Sequence, residues 1–146
     1  MTDSKPTVLF LCTANSCRSQ MAETILRKLA PGRFDVMSAG LAPAREVHPL
    51  ALEALREKGY ETDGLTPKSV RKFLGHVRIR YAIVVCARAA RECPVVWPGV
   101  ANRLVWPFDD PAAVTGTDEE IKAAFARVRD EIEARLRAWL EELDKQ

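Results

Sequence analysis

Short apolar runs alternate along this chain with stretches in which apolar residues recur every three or four positions. A continuous apolar run predicts a strand covered on both faces, whereas the longer periodicity predicts an amphipathic helix. The predicted strands are 7–11, 33–40, 80–86 and 102–108. The predicted helices are 19–29, 48–59, 66–74 and a long one from Asp118 onward.

Proline residues set two of these boundaries. Thr66 followed by Pro67 is an N-cap and first-turn signal for the third helix, and Pro107 stops the last strand. Strands that alternate with helices predict an α/β fold with a parallel sheet and right-handed crossovers. In such a sheet the ligand crevice lies beyond the carboxyl ends of the strands, where Cys12 and Cys86 are both predicted to lie.

Composition limits the class of protein. The 146 residues are 47% hydrophobic and 29% charged, and the formal net charge is +2. This balance predicts one globular domain, 1–146, and argues against disorder and against a nucleic-acid-binding surface. No segment has the length of a membrane span or the pattern of a secretion signal, so we expect a cytoplasmic monomer.

The segment after the first strand carries the strongest chemical signal. Five residues lie between Cys12 and Arg18, where a helix begins. Such a loop presents backbone N–H groups and a positive helix end to an anion, and the same field favours a thiolate at Cys12. Ser19 is placed to donate its hydroxyl to that sulfur. The alternative is a structural thiol in the core. The predicted oxyanion-binding residues are Thr13, Ala14, Asn15, Ser16, Cys17 and Arg18.

The segment "CTANSCRSQMAE" resembles the signature of the low-molecular-weight protein tyrosine phosphatase family. It resembles most closely the thioredoxin-coupled arsenate reductases built on that fold. The resemblance implies a small three-layer αβα sandwich with a central parallel sheet of about four strands. Gln20 stands where the phosphatases usually have proline. Ala14 stands where the reductases have glycine, and it would be mildly strained if that position needs a positive φ.

The resemblance also assigns chemistry to two later segments. "WPFDDPA" resembles the loop of the family's general acid and matches it to Asp110, although Asp109 and Asp110 alternatively form only a turn. "CARAARECP" has the cysteine spacing of the three-cysteine reductases. The implied relay begins when Cys12 attacks arsenate. Cys86 then attacks Cys12 and releases arsenite, and Cys93 attacks Cys86 to leave a disulfide for thioredoxin.

The segment between the two later cysteines is expected to rearrange. A disulfide needs Cα atoms within ~7 Å, whereas seven residues of helix span about 10.5 Å. If residues 86–93 are helical when reduced, oxidation therefore unwinds or bends them. Alternatively, Cys86 is a buried strand-end residue and Cys93 a surface thiol. A zinc site fits the spacing less well, and Cys17 is interpreted as packing or as an oxidation-prone bystander.

Relatives of this family bind potassium behind the anion loop. The matching positions here are Asn15, Glu23 and Ser38, and Lys68 takes the place of an acidic ligand. An ammonium group at this position could pair with Glu23 in place of the cation, and it predicts a protein that does not respond to potassium. Alternatively, Lys68 is a solvated residue at the start of a helix.

The sequence therefore predicts an arsenate reductase with phosphate or sulfate as competing anions, thioredoxin as electron donor, and no cofactor or resident metal. The rival functions are a tyrosine phosphatase, or a non-enzymatic thiol sensor of arsenite or redox state. Residual phosphatase activity is expected even in a reductase, since the loop recognises tetrahedral anions.

Overall fold

A computed structural model gives the structure of the protein and describes residues 5–92 and 98–146. Four strands and four α-helices alternate along the chain, together with two short 3-10 turns at Val70–Lys72 and Pro111–Ala113. The strands are β1 (Thr7–Cys12), β2 (Asp35–Gly40), β3 (Ile79–Val84) and β4 (Val100–Val105). The helices are α1 (Arg18–Leu29), α2 (Pro49–Glu57), α3 (Ala87–Glu92) and α4 (Asp118–Asp144).

The strands form one parallel sheet in the order β2-β1-β3-β4. Every residue of β1 is buried, as its unbroken apolar run predicts for a central strand. β1 pairs with β2 and β3 in a register that ends at the same edge, where Cys12 lies beside Gly40 and Leu11 beside Val84. The predicted α/β fold with a four-stranded parallel sheet is confirmed.

The core is continuous around this sheet. α4 packs against α1 and α2, and its buried residues repeat at helical spacing, as at Phe125, Val128 and Ile132. The Trp139 ring of α4 contacts Tyr81 of β3 edge-on at a centroid distance of 5.1 Å. No helix in the described ranges is long and apolar enough to cross a membrane.

The predicted third helix is wrong. Residues 66–69 are not helical, and the only helical turn in this stretch of the described chain is Val70–Lys72, capped by the Ser69 hydroxyl. The reason is that neighbouring elements use the backbone of Lys68. Its N–H donates to Asn15 Oδ1 at 2.8 Å, and its carbonyl accepts from Gly40 N–H at 2.8 Å. The extended backbone that these bonds require excludes an earlier helix start.

The predicted fourth strand, 102–108, is displaced toward its N-terminus. β4 begins at Val100 and ends at Val105. Beyond it, Trp106 N–H still donates to Val84 O at 2.8 Å, but Phe108 N–H donates to Val85 O at 3.2 Å, whereas a regular parallel ladder would pair it with residue 86. The chain therefore leaves the sheet here and carries Asp110 toward the end of β1.

Candidate active site

The ends of β1 and β3 open on a cavity of about 490 Å³. Cys12 and Cys86 both line it, as expected from their places at the carboxyl ends of adjacent parallel strands. The wall is completed by the loop after β1, the start of α3 and the segment after β4. Its remaining lining residues are Thr13, Ala14, Ser16, Cys17, Arg18, Ala87, Arg88, Phe108, Asp109, Asp110 and Ala112.

Backbone carbonyl groups of the loop between Cys12 and Arg18 accept hydrogen bonds from a neighbouring segment. The segment 42–48 donates three N–H groups to this loop, from Ala42 to Thr13 O, from Ala44 to Ala14 O and from His48 to Ser16 O, at 2.8–2.9 Å. In contrast, the N–H groups of residues 14–18 donate no hydrogen bond to any part of the chain that is described. Free donors at the N-terminus of a helix are chemically suited to bind an oxyanion.

The positive φ in this loop falls on Asn15, at 52°, and not on Ala14. The condition under which Ala14 would be strained is therefore not met. Asparagine tolerates the left-handed region better than most residues, and its side chain is fixed from three directions. Asn15 Oδ1 accepts from Gln20 Nε2 at 3.1 Å and from Lys68 N–H, while Nδ2 donates to Ser19 Oγ at 2.8 Å.

Gly40 supports the loop from β2. A Cβ at this position would lie 2.7 Å from Thr13 O and 3.0 Å from Asn15 N. The backbones therefore approach more closely than any side chain permits. Sequence analysis identified Gly40 only as the last residue of a strand. A glycine at a strand end does not indicate which distant segment packs against it.

Arg18 links the loop to the segment that carries the predicted acid. Its Nη1 donates to Phe108 O at 2.9 Å, and its Nη2 lies 3.8 Å from Asp110 Oδ2. The buried Nε of Arg18 has no acceptor within residues 5–92 and 98–146. Asp110 Oδ1 caps the turn that follows by accepting from Ala112 N–H at 3.0 Å, so this residue both makes the turn and faces the cavity.

The Cys12 and Cys86 thiols shift each other's pKa in opposite directions. A hydrogen bond from Cys12, together with bonds from Ala89 N–H at 3.3 Å and the Thr13 hydroxyl at 3.6 Å, lowers the pKa of Cys86 to about 5. The same bond to Cys86, followed by burial, raises the pKa of Cys12. The predicted thiolate at Cys12 stays a prediction: the two thiols interact, and hydrogen-bond donors converge on the Cys86 sulfur.

Two further residues of the loop are buried within it. Burial raises the pKa of the Cys17 thiol to about 12, which makes it a packing residue in this state. The Ser19 hydroxyl accepts from Asn15, and its predicted donation to the Cys12 sulfur is not among the hydrogen bonds of the described chain. Ser19 therefore contacts the sulfur's loop and not the sulfur itself.

The four residues predicted for the cation position lie together behind the loop. Ser38 Oγ donates to Glu23 Oε1 at 2.5 Å, and Lys68 Nζ lies 3.8 Å from the same oxygen. Lys68 Nζ also donates to Thr66 O at 2.8 Å. Burial lowers the pKa of Lys68, opposed by the charge of Glu23. Lys68 is thus a half-buried partner of Glu23 and not a freely solvated side chain.

Gln20 is the residue of this network whose role sequence analysis missed. It is fully buried in the first turn of α1, and its Nε2 donates to Asn15 O at 3.0 Å and to Thr66 O at 2.9 Å. It thereby ties the anion loop to the segment before Ser69. The sequence does contain a signal for this role, because Gln20 is a polar residue on the buried face of α1.

The segment that follows Cys86 is helical as far as it is described. α3 spans Ala87–Glu92, and Cys93 lies outside the described residues. Cys12, Cys17 and Cys86 are free thiols. Within residues 5–92 and 98–146, no group of three or more histidine, cysteine or acidic side chains is arranged to hold a metal ion.

Residues 7–146 match the family model of the low molecular weight phosphotyrosine protein phosphatases. The chain belongs to this family. Its relatives include an arsenate reductase of Bacillus licheniformis, 43% identical over 138 residues that cover 94% of this chain and 97% of the relative. Within this phosphatase family, the similarity to arsenate reductases confirms the resemblance inferred from the sequence.

Solved structures of arsenate reductases share the fold of this phosphatase-family chain. A Corynebacterium glutamicum thioredoxin-dependent arsenate reductase has a TM-score of 0.72 and 29% identity; the match covers 99% of this chain and 64% of that one. An arsenate reductase in the phosphate binding state has a TM-score of 0.74 and 29% identity, with 94% and 98% of the two chains covered.

Proposed function

We propose that this protein reduces arsenate to arsenite through a relay of Cys12, Cys86 and Cys93, with a dithiol protein of the thioredoxin class as electron donor. The single observation that carries the proposal is that the Cys12 and Cys86 thiols line one cavity, beside a loop whose backbone N–H groups are free. A hydrolytic phosphatase of this fold needs one cysteine, whereas a reductase needs a second sulfur within reach of the first.

Substrate binding uses the free N–H groups of residues 14–18 and the Arg18 guanidinium. Arsenate is a tetrahedral anion, so converging amides and a planar guanidinium match its oxygens. Phosphate and sulfate have the same shape and are expected to compete. The similar arsenate reductase in a phosphate binding state supports this expectation.

The first chemical step joins Cys12 Sγ to arsenic. As Cys12 attacks, its proton passes to the neighbouring Cys86, and one arsenate hydroxyl leaves as water after taking a proton from Asp110. The product is an arseno-thiol adduct in which arsenic is still As(V). Asp110 must be protonated to act as this acid, and its place 3.8 Å from Arg18 holds it at the cavity mouth.

The second step transfers two electrons. Cys86 gives its proton to an oxygen of the departing arsenite as it attacks Cys12 Sγ. The sulfur–sulfur bond forms, the sulfur–arsenic bond breaks, and arsenic keeps the bonding pair and leaves as arsenite. The Ala89 N–H and the Thr13 hydroxyl stabilise Cys86 as the thiolate that this attack requires.

The third step regenerates Cys12. Cys93 attacks Cys86 Sγ, so a Cys86–Cys93 disulfide forms and Cys12 leaves as a thiolate. The donor dithiol then returns two electrons and two protons. The similar thioredoxin-dependent enzyme of Corynebacterium glutamicum supports thioredoxin as that donor.

The test is a single turnover without added reductant. The reduced wild-type chain and Cys93→Ser are each expected to release one arsenite per chain, because both retain Cys12 and Cys86. Cys86→Ser is expected to release none while still hydrolysing a small aryl phosphate slowly. Equal arsenite from Cys86→Ser and from the wild type would refute the relay, and arylphosphatase activity without any arsenite would favour the phosphatase.

We further propose that Lys68 replaces a bound cation behind the loop. The ammonium lies 3.8 Å from Glu23 Oε1, which also accepts from Ser38, and the Lys68 backbone N–H is bound to Asn15. A fixed positive charge there neutralises Glu23 and steadies the loop without potassium.

A further inference from the structure

We propose that Arg103, on the edge strand β4, is a clamp that holds the reduced, helical form of α3 and so sets the redox potential of the Cys86–Cys93 pair. The proposal rests on the relay described above. Arg103 makes no contact with the oxyanion cavity; it acts through α3, which makes it a positioning residue.

The α3 helix has little to hold it. It is six residues long, and Ala89 is its only buried residue within the described chain. A helix this short is unstable in water without tertiary contacts. Its Arg88–Glu92 ion pair is exposed, and an exposed i,i+4 pair contributes little to stability.

The Arg103 side chain reaches this helix from the sheet. Its Nη2 donates to Ala90 O at 3.0 Å in a part-buried hydrogen bond. Arg103 pairs in register with Ala82 of β3, the strand that leads to Cys86, so the bond joins α3 to the framework on which Cys86 stands. A bond from a charged donor in a part-buried place is stronger than one between neutral groups.

The sequence explains why Ala90 needs this donor. In a continuing α-helix, Ala90 O would accept from the N–H of the residue four positions later. That residue is Pro94, which has no N–H. An α-helical continuation of α3 therefore cannot bond this carbonyl through the residue four positions later, and Arg103 provides a donor from another element.

The redox step opposes this arrangement. The Cα atoms of Cys86 and Cys93 must come within ~7 Å for a disulfide, whereas a helix would hold them about 10.5 Å apart. Oxidation therefore opens α3 and separates Ala90 O from Arg103. The clamp stabilises the dithiol and not the disulfide, so its removal is expected to make the disulfide form more readily and resist reduction.

The test compares Arg103→Met with the wild type by equilibrating each full-length chain with dithiothreitol buffers and quantifying the Cys86–Cys93 disulfide by mass spectrometry. Loss of a charge-assisted bond, ~1.5–3 kcal/mol, favours the disulfide by about 10- to 100-fold. For a two-electron couple this is a potential lower by ~30–60 mV. Amide exchange of residues 88–92 in the reduced chain is expected to accelerate by the same factor.

The matched control is Arg80→Met, which removes an exposed arginine from the neighbouring strand β3. This control is expected to leave the potential within a few millivolts of the wild type. Arg103→Lys keeps a positive charge and is expected to shift the potential less than Arg103→Met does. Equal potentials in Arg103→Met and the wild type, or equal shifts in Arg103→Met and Arg80→Met, would overturn the clamp. If the wild-type chain forms no Cys86–Cys93 disulfide at all, the relay itself fails.

Discussion

Replacing Gly40 with alanine tests whether β2 shapes the anion receptor. The added Cβ would lie 2.7 Å from Thr13 O, so this carbonyl must retreat by about 0.7 Å to reach the 3.4 Å of ordinary contact. Thr13 O also accepts from Ala42 N–H at 2.9 Å, so the movement strains that bond as well. The neighbouring Asn15 N must shift too, since the Cβ would lie 3.0 Å from it.

Two effects of different kind follow from Gly40→Ala. Overpacking of this sort lowers the free energy of unfolding by ~1–3 kcal/mol. A displacement approaching 1 Å in groups that position a substrate costs about 100-fold in rate. We therefore expect kcat/KM for arsenate to fall about 100-fold, together with a weaker affinity for phosphate, because the loop amides no longer converge.

The matched control is Gly32→Ala. Gly32 has a φ of 78° and no atom within 4 Å of an added Cβ, so alanine there suffers backbone strain of ~1–2 kcal/mol but touches nothing at the site. Arsenite formation with a dithiol donor, phosphate binding by calorimetry and urea unfolding are measured on both variants. If Gly40→Ala loses stability like Gly32→Ala but keeps its rate and its phosphate affinity, the account of the receptor is refuted.

Three further predictions concern the other parts of the site. Asp110→Asn removes the acid and is expected to lower kcat by ~100-fold or more while phosphate affinity, measured by calorimetry, stays within a few-fold; an unchanged kcat would exclude an acid role. Lys68→Met is expected to make the melting temperature rise with added potassium, whereas that of the wild type stays constant; a large potassium response in the wild type contradicts the replacement. Thr13→Val removes one of the hydrogen bonds that lower the pKa of Cys86, so thiolate absorbance is expected to appear at higher pH in the variant than in the wild type; an unmoved midpoint would show that Thr13 does not stabilise this thiolate.

The sequence predicted those parts of the fold and site that depend on local patterns. The apolar run of β1 and the periodicity of α4 are local properties, and both elements were placed to within a residue or two. The placement of Cys12 and Cys86 at one edge followed from parallel topology alone. Arg18 was found because its spacing from Cys12 fixes it at the start of α1.

The errors arise where distant segments decide a local conformation. The turn near Thr66 carries a helix-start signal, but the bonds of Lys68 to Asn15 and Gly40 keep that backbone extended. The lowered pKa of Cys86, which sequence analysis did not predict, depends on Thr13 at another strand end and on the neighbouring Cys12 thiol. No pattern within a single segment records such contacts.

The central claim is that Cys12 passes its oxidation to Cys86 and then to Cys93, and peptide mapping by mass spectrometry after one arsenate turnover without reductant tests it most directly. The account predicts a Cys86–Cys93 disulfide with Cys12 free in the wild type, and a Cys12–Cys86 disulfide in Cys93→Ser. A wild-type chain that has released arsenite and holds its disulfide at Cys12 and Cys17, with Cys86 and Cys93 still free, would contradict it.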